Sequence, residues 1–114
     1  MNEMKSDNTT LLFRDNVILD VTLFDIRPSE PMGYLCGAEA MLSEDGTVSF
    51  WNEGKELDRF HVNDVIQANI NINNYDPDHD TEIAMITREK SFRITFSDGK
   101  KKKAFVDSLG IVME

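Results

Sequence analysis

Seven basic side chains fall between Arg88 and Lys103: Arg88, Lys90, Arg93 and the unbroken run Lys100, Lys101, Lys102 and Lys103. A lysine run at the start of a helix would join mobile ammonium groups to fixed backbone N–H dipoles, a combination suited to phosphate or carboxylate. The same run also reads as ordinary solvated charge. Asp76, Asp78, Asp80 and Glu82 set hard oxygen ligands at alternate positions around His79, as calcium loops do. A calcium frame opening at Asp76 needs glycine at its sixth place and glutamate at its twelfth, where Thr81 and Thr87 stand, so a polar surface loop is the better reading. His61 and His79 are the only histidines, and no spacing joins them to further ligands; neither a metal nor a cofactor is expected. Cys36 has no sequence context that would make it a nucleophile with either histidine, and a buried small cysteine is the simpler reading. Neither a phosphate-cradling glycine loop nor a nucleophile elbow is present, so the chain is not expected to be an enzyme. Trp51 and Tyr75 lie near turns, where an aromatic side chain either anchors an interface or covers the edge of a core.

The elements that must position these residues are built from 114 residues, of which 40% are hydrophobic. That suits one domain with a single core and argues against disorder. Residues 1–10 have no apolar signal core and are expected to form a flexible tail ahead of one domain, 11–114. With one cysteine an internal disulfide is excluded, and with no apolar run of 18 residues a membrane-spanning helix is excluded; a cytoplasmic protein is the expectation. The formal net charge of −9 disfavours direct binding of nucleic acid. That charge is unevenly spread. Arg88 to Lys103 holds seven basic residues against two acidic ones, a local +5, which leaves −14 on the remainder.

Val17, Leu19, Val21 and Leu23 alternate with Asp20 and Thr22, the period of a half-buried strand. Ile18 and Phe24 lie on its second face, which is therefore expected to be partly covered as well. Arg27 to Gly33 holds two prolines and a glycine and is a loop. From Tyr34 the even positions Cys36, Ala38, Ala40 and Leu42 form a strand of small inward residues. Glu44-Asp45-Gly46 then makes a three-residue hairpin loop that pairs Leu42 with Val48 and Ala40 with Phe50. Asn52 to Lys55 is a second turn, and Leu57, Phe60 and Val62 lead onward. Ile66, Ala68, Ile70 and Ile72 alternate with amide side chains and read as the clearest strand in the chain. In the last hairpin, a connection over Arg88–Ser91 sets Ile83, Met85 and Thr87 opposite Phe96, Ile94 and Phe92. Phe105, Leu109 and Val112 then follow at helical spacing, with Gly110 as a stop. Four lysines oppose the dipole at that helix start, and an Asp98-Gly99 turn into a strand over 100–106 is the alternative.

Six to seven short antiparallel strands with a terminal helix make a mainly β fold, a small barrel or sandwich. This order resembles the pleckstrin-homology-like fold and, within it, GRAM-type and bacterial PH-like domains. Leu12–Ile18 is similar to their opening strand, and Ala38–Phe50 to a hairpin running from a small-residue strand into one that ends on an aromatic. Phe60–Ile66 resembles the strand closing on an Asp-Val pair; Ile83–Arg88, Ser91–Phe96 and Lys100–Leu109 resemble the last hairpin and capping helix. The resemblance implies a non-catalytic binding module. Glu44-Asp45 stands where lipid-binding members place basic residues, so the expected partner is another protein, met at a sheet edge or around Trp51 and Tyr75. Two alternatives remain open. One is an anionic headgroup or phospho-ligand on Arg88, Lys90, Arg93 and Lys100–Lys103. The other is an acidic inhibitor that occupies a basic groove of a partner. Oligomeric state is open at this point.

Overall fold

The computed structural model describes residues 10–24, 32–70 and 80–113. Strand β1 (Leu11–Leu23) is followed by β2 (Gly33–Ser43), β3 (Thr47–Asn52) and β4 (Lys55–His61), a 3-10 turn (Val62–Asp64), and β5 (Gln67–Asn69), β6 (Glu82–Ile86) and β7 (Lys90–Phe96). Helix α1 (Gly99–Val112) closes the chain. Among the described residues the strands make one antiparallel sheet in the order β4-β3-β2-β1-β7-β6-β5. Thirteen-residue β1 is its spine. It pairs with β2 along most of its length and, from Val17 to Leu23, with β7 as well, so one strand belongs to both halves.

The period-2 pattern decides which face is inside. Phe13, Val17, Leu19 and Val21 of β1 are buried, as are Ala38, Ala40 and Leu42 of β2 and Val48 and Phe50 of β3. The sheet curls until β4 comes against β7 over that face. Although three strands separate β4 from β7, the rings of Phe60 and Phe92 stand 4.7 Å apart, and Phe50 stacks on Phe92 at 5.9 Å. The other mouth is plugged by α1, whose Phe105 meets Phe13 and Phe96, each at 5.2 Å, with Leu109 buried behind it. Two aromatic clusters therefore hold the curl closed, each ring burying on the order of 150–250 Å².

Local chemistry accounts for the turns. Leu42 faces Val48 and Ala40 faces Phe50, the register expected from Glu44-Asp45-Gly46, and Gly46 has the positive φ (93°) that the turn demands. Asp98 caps α1 by accepting from the Lys101 N–H at 2.8 Å, which starts a helix and not a strand at the lysine run. Gly110 sits inside that helix, which continues to Val112, so it is not the stop.

Three further expectations are corrected. The last hairpin turns at Thr87–Lys90, where the Thr87 N–H donates to the Lys90 carbonyl at 2.8 Å; Ile83 therefore faces Ile94 and Met85 faces Phe92. The slip is two residues, which keeps every side chain on its expected face. Of the strand expected over 66–72, Gln67–Asn69 is strand and all three are exposed, Ile66 is outside it and largely exposed, and Ile70 is outside it and packs partly on the core; 71 and 72 lie outside the described residues. A short edge strand buries little whatever its alternation. Finally, the outer face of β1 is open: Ile18 is 48% and Phe24 49% exposed. Tyr75, His79 and most of the polar loop around them lie outside the described residues, as does the expected tail except Thr10.

Candidate functional site

The open outer face of β1, β2 and β3 carries a trough of about 850 Å³. Register builds it. Arg14 faces Met41, Asn16 faces Glu39 and Ile18 faces Gly37 across β1 and β2, while Glu39 faces Trp51 across β2 and β3. Outward parity puts Ile18, Gly37, Met41 and Trp51 in the trough, an apolar set on a face that solvent would fill with polar residues. At Gly37 a side chain would meet nothing within 4 Å, so the trough has a gap at its centre. Leu35, two residues along β2 on the same face, is 68% exposed. Polar groups fix the walls. Arg14 Nε donates to Glu39 Oε2 at 2.8 Å, and the Trp51 indole N–H donates to Ser49 Oγ at 3.0 Å. With its N–H engaged, the half-buried indole has only its ring left to offer a partner.

The trough ends where β3 turns into β4. Asn52 pairs with Lys55, so Glu53-Gly54 is a two-residue hairpin loop, and both residues have positive φ (52° and 79°) as a type I′ turn requires. Asparagine and glycine suit that pair; a glutamate at the first position is strained. Pairing of β2 with β3 stops at Glu39, and among the described residues β2 runs on to Gly33 with only β1 beside it. The Gly37 carbonyl, aimed at the side β3 has vacated, accepts from the Asn52 side-chain amide at 3.0 Å.

The basic residues are dispersed by the helix and by pairing. Lys101 bonds to Asp15 on β1, which raises the lysine pKa and lowers that of the carboxyl, in both cases chiefly through the hydrogen bond. Lys102 is 2% exposed and bonds to Asp80 at 2.5 Å, whereas Lys103 reaches Asp107 at 3.1 Å one turn along the helix. Arg93 pairs with Glu82 at 3.3 Å and Lys90 with Asp58 at 2.9 Å. Arg88 and Lys100 are exposed, with no ion pair among the described residues. Successive helix positions diverge by about 100°, so neighbouring lysines leave α1 in different directions.

Asp58 is a residue that sequence reading passes over. Its side chain is 8% exposed on the inward face of β4, opposite Phe50. There it accepts from Tyr34 Oη at 2.8 Å and from Lys90 Nζ, tying β2, β4 and β7 together across the curl. Burial, then the bond to Asp58, holds the Tyr34 phenol well above its ordinary pKa. The one available signal was a carboxylate at inward parity two residues before Phe60. His61 likewise is used up locally: Nδ1 accepts from the Asn63 N–H at 3.0 Å, so Nε2, at 2.7 Å from the Asp45 carbonyl, carries the proton and donates. Cys36 is half-buried and unpaired, and among the described residues no three His, Cys, Asp or Glu side chains gather as a metal set. No helix among the described residues is long and apolar enough to cross a membrane.

No protein-family model matches the sequence, and no curated protein matches it. Solved structures do. A structure of Vav1 with an allosteric inhibitor aligns with 99% of this chain at TM-score 0.64 and 8% identity, and the apo activated truncation of Vav1 does so at 0.66 and 10%. This chain spans 29% and 28% of those two chains. The Ran-binding domain of Nup2 from Ashbya gossypii aligns with 92% of this chain and 95% of its own length, at TM-score 0.54 and 18% identity. Vav1 contains a pleckstrin-homology domain, and the Nup2 domain has the same general architecture. A curled seven-stranded antiparallel sheet plugged by a C-terminal helix, shared along the chain with these structures, is a pleckstrin-homology-like fold.

Proposed function

We propose that this protein is a non-catalytic interaction module that holds another protein in the outer trough around Ile18, Gly37, Met41 and Trp51. The observation that carries the reading is the apolar set Ile18, Met41 and Trp51 around the Gly37 notch on the outer face of β1–β3. Apolar side chains grouped on an exposed face mark interaction sites. The Nup2 domain, named for binding Ran, supports protein binding as a use of this architecture. The cytosol is the proposed compartment, in keeping with a single unpaired cysteine.

A phospho-ligand on the basic residues is the weaker reading, because Lys90, Arg93, Lys101, Lys102 and Lys103 each already face a carboxylate. The two readings separate on one comparison. Gly37→Val fills the trough at a position with free space and a backbone that accepts valine, so its stability should match wild type. It is expected to reduce retention of the native partner at least tenfold. A combined Lys100→Gln, Lys101→Gln and Lys103→Gln variant should keep the partner. The reverse result would move the site to the helix.

A further inference from the structure

The overhang of β2 beyond β3 supplies more than a wall. Gly37 turns its carbonyl toward the vacated side, and Leu35, two residues along an extended strand, turns its own N–H and C=O the same way. Among the described residues no strand lies beside Leu35 there, since β2 has only β1 and β3 as neighbours and β3 has turned at Glu53-Gly54. Tyr34, Leu35 and Gly37 are exposed along this edge. Natural edges are blunted by charge, proline or cover, whereas this one carries an exposed leucine and a glycine. It lies end-on to β3, and the strained turn residue Glu53 stands at the junction. The exposed Glu53 has no cationic partner among the described residues and lines the end of the trough. A residue kept in a conformation that costs stability is a candidate for a contact made elsewhere.

We propose that the partner enters as an extended, basic segment that adds a strand to β2 at Leu35–Gly37, takes the Gly37 carbonyl from the Asn52 amide and sets a lysine or arginine against Glu53. Its alternate side chains then fall over Ile18 and the Gly37 notch, which makes this the specific form of the trough reading and dependent on it. Backbone pairing supplies affinity in such strand addition and side-chain notches supply selectivity. Charge chooses the occupant. The chain carries −9, so a second copy would meet like charge whereas a cationic segment is drawn in.

The test uses three fluorescein-labelled heptapeptides against the full chain by anisotropy: Gly-Lys-Val-Lys-Val-Lys-Gly, the same with glutamate for lysine, and the lysine peptide N-methylated at alternate residues. The lysine peptide is expected to bind, and the other two at least tenfold more weakly. Leu35→Pro, which removes the edge N–H at a position where an edge strand accepts proline, should abolish binding. Glu53→Asn, which suits the turn better, should weaken it about fivefold and flatten its salt dependence. Equal binding of the glutamate or N-methylated peptide, or an unchanged Glu53→Asn, overturns the proposal. Sedimentation showing a dimer that Leu35→Pro dissolves also overturns it, in favour of self-pairing. Should Gly37→Val still release the native partner while Leu35→Pro and Glu53→Asn do not, only the strand-addition inference falls. If none of the three releases it, the trough reading falls too.

Discussion

Glu53 and Lys90 show how single side chains are set against, or for, the stability of this fold. A left-handed residue other than glycine costs about 1–2 kcal/mol, and asparagine tolerates that region best. Glu53→Asn should therefore raise the melting temperature by about 4 °C, on the scale of one kcal/mol in a domain of this size. Differential scanning calorimetry reads this directly, and a lowered melting temperature would remove the strain argument. Lys90 works in the opposite sense. Its ammonium balances Asp58, a carboxylate 8% exposed whose other donors are the Tyr34 hydroxyl and the Arg59 N–H. Lys90→Met leaves that charge buried with only the neutral Tyr34 hydroxyl and the Arg59 N–H as donors, and the loss should be about 3 kcal/mol by urea unfolding. A loss below about 1 kcal/mol would mean that water already reaches Asp58.

At the level of elements, hairpin chemistry and inward parity were legible in the sequence, and edge behaviour was not. The β2–β3 register follows from Gly46 and from which of Ala40, Leu42, Val48 and Phe50 must be inside. In the β6–β7 hairpin a slip of two residues satisfies the same parity, so the pattern alone could not choose; the Thr87 hydroxyl, accepting from the Lys90 N–H, does. The alternation from Ile66 named a strand that begins only at Gln67 and breaks before Ile70, with all three of its residues exposed, because a strand at the rim of a curled sheet has no second layer to bury its apolar face. Trp51 was legible as a candidate contact. Gly37 and Ile18 were not, since an empty notch is made by register between strands and has no signature in one strand. Gly110 also changes meaning. It lies in the last turn of the helix, with open space where a side chain would go, so Gly110→Ala should stabilise by about 0.5 kcal/mol, the helix-propensity difference reduced by its place near the end. Destabilisation in thermal or urea melts would show that the helix ends before it.

Across the whole molecule, charge and apolar exposure are sorted onto different surfaces. The basic residues of β7 and α1 are largely matched by Asp15, Asp58, Asp80, Glu82 and Asp107, which converts a local excess of lysine into links between elements. The mouth plugged by Phe105 is thereby closed, and the outer face of β1–β3 is left as the open apolar surface of the sheet's first half. Its contact with a partner protein is the central claim, and amide hydrogen exchange with and without the native partner tests it most directly. Slowed exchange confined to Leu35–Glu39 and Trp51–Gly54, with α1 unchanged, is the expected result. Protection over Lys100–Lys103 and none along β2 would contradict it.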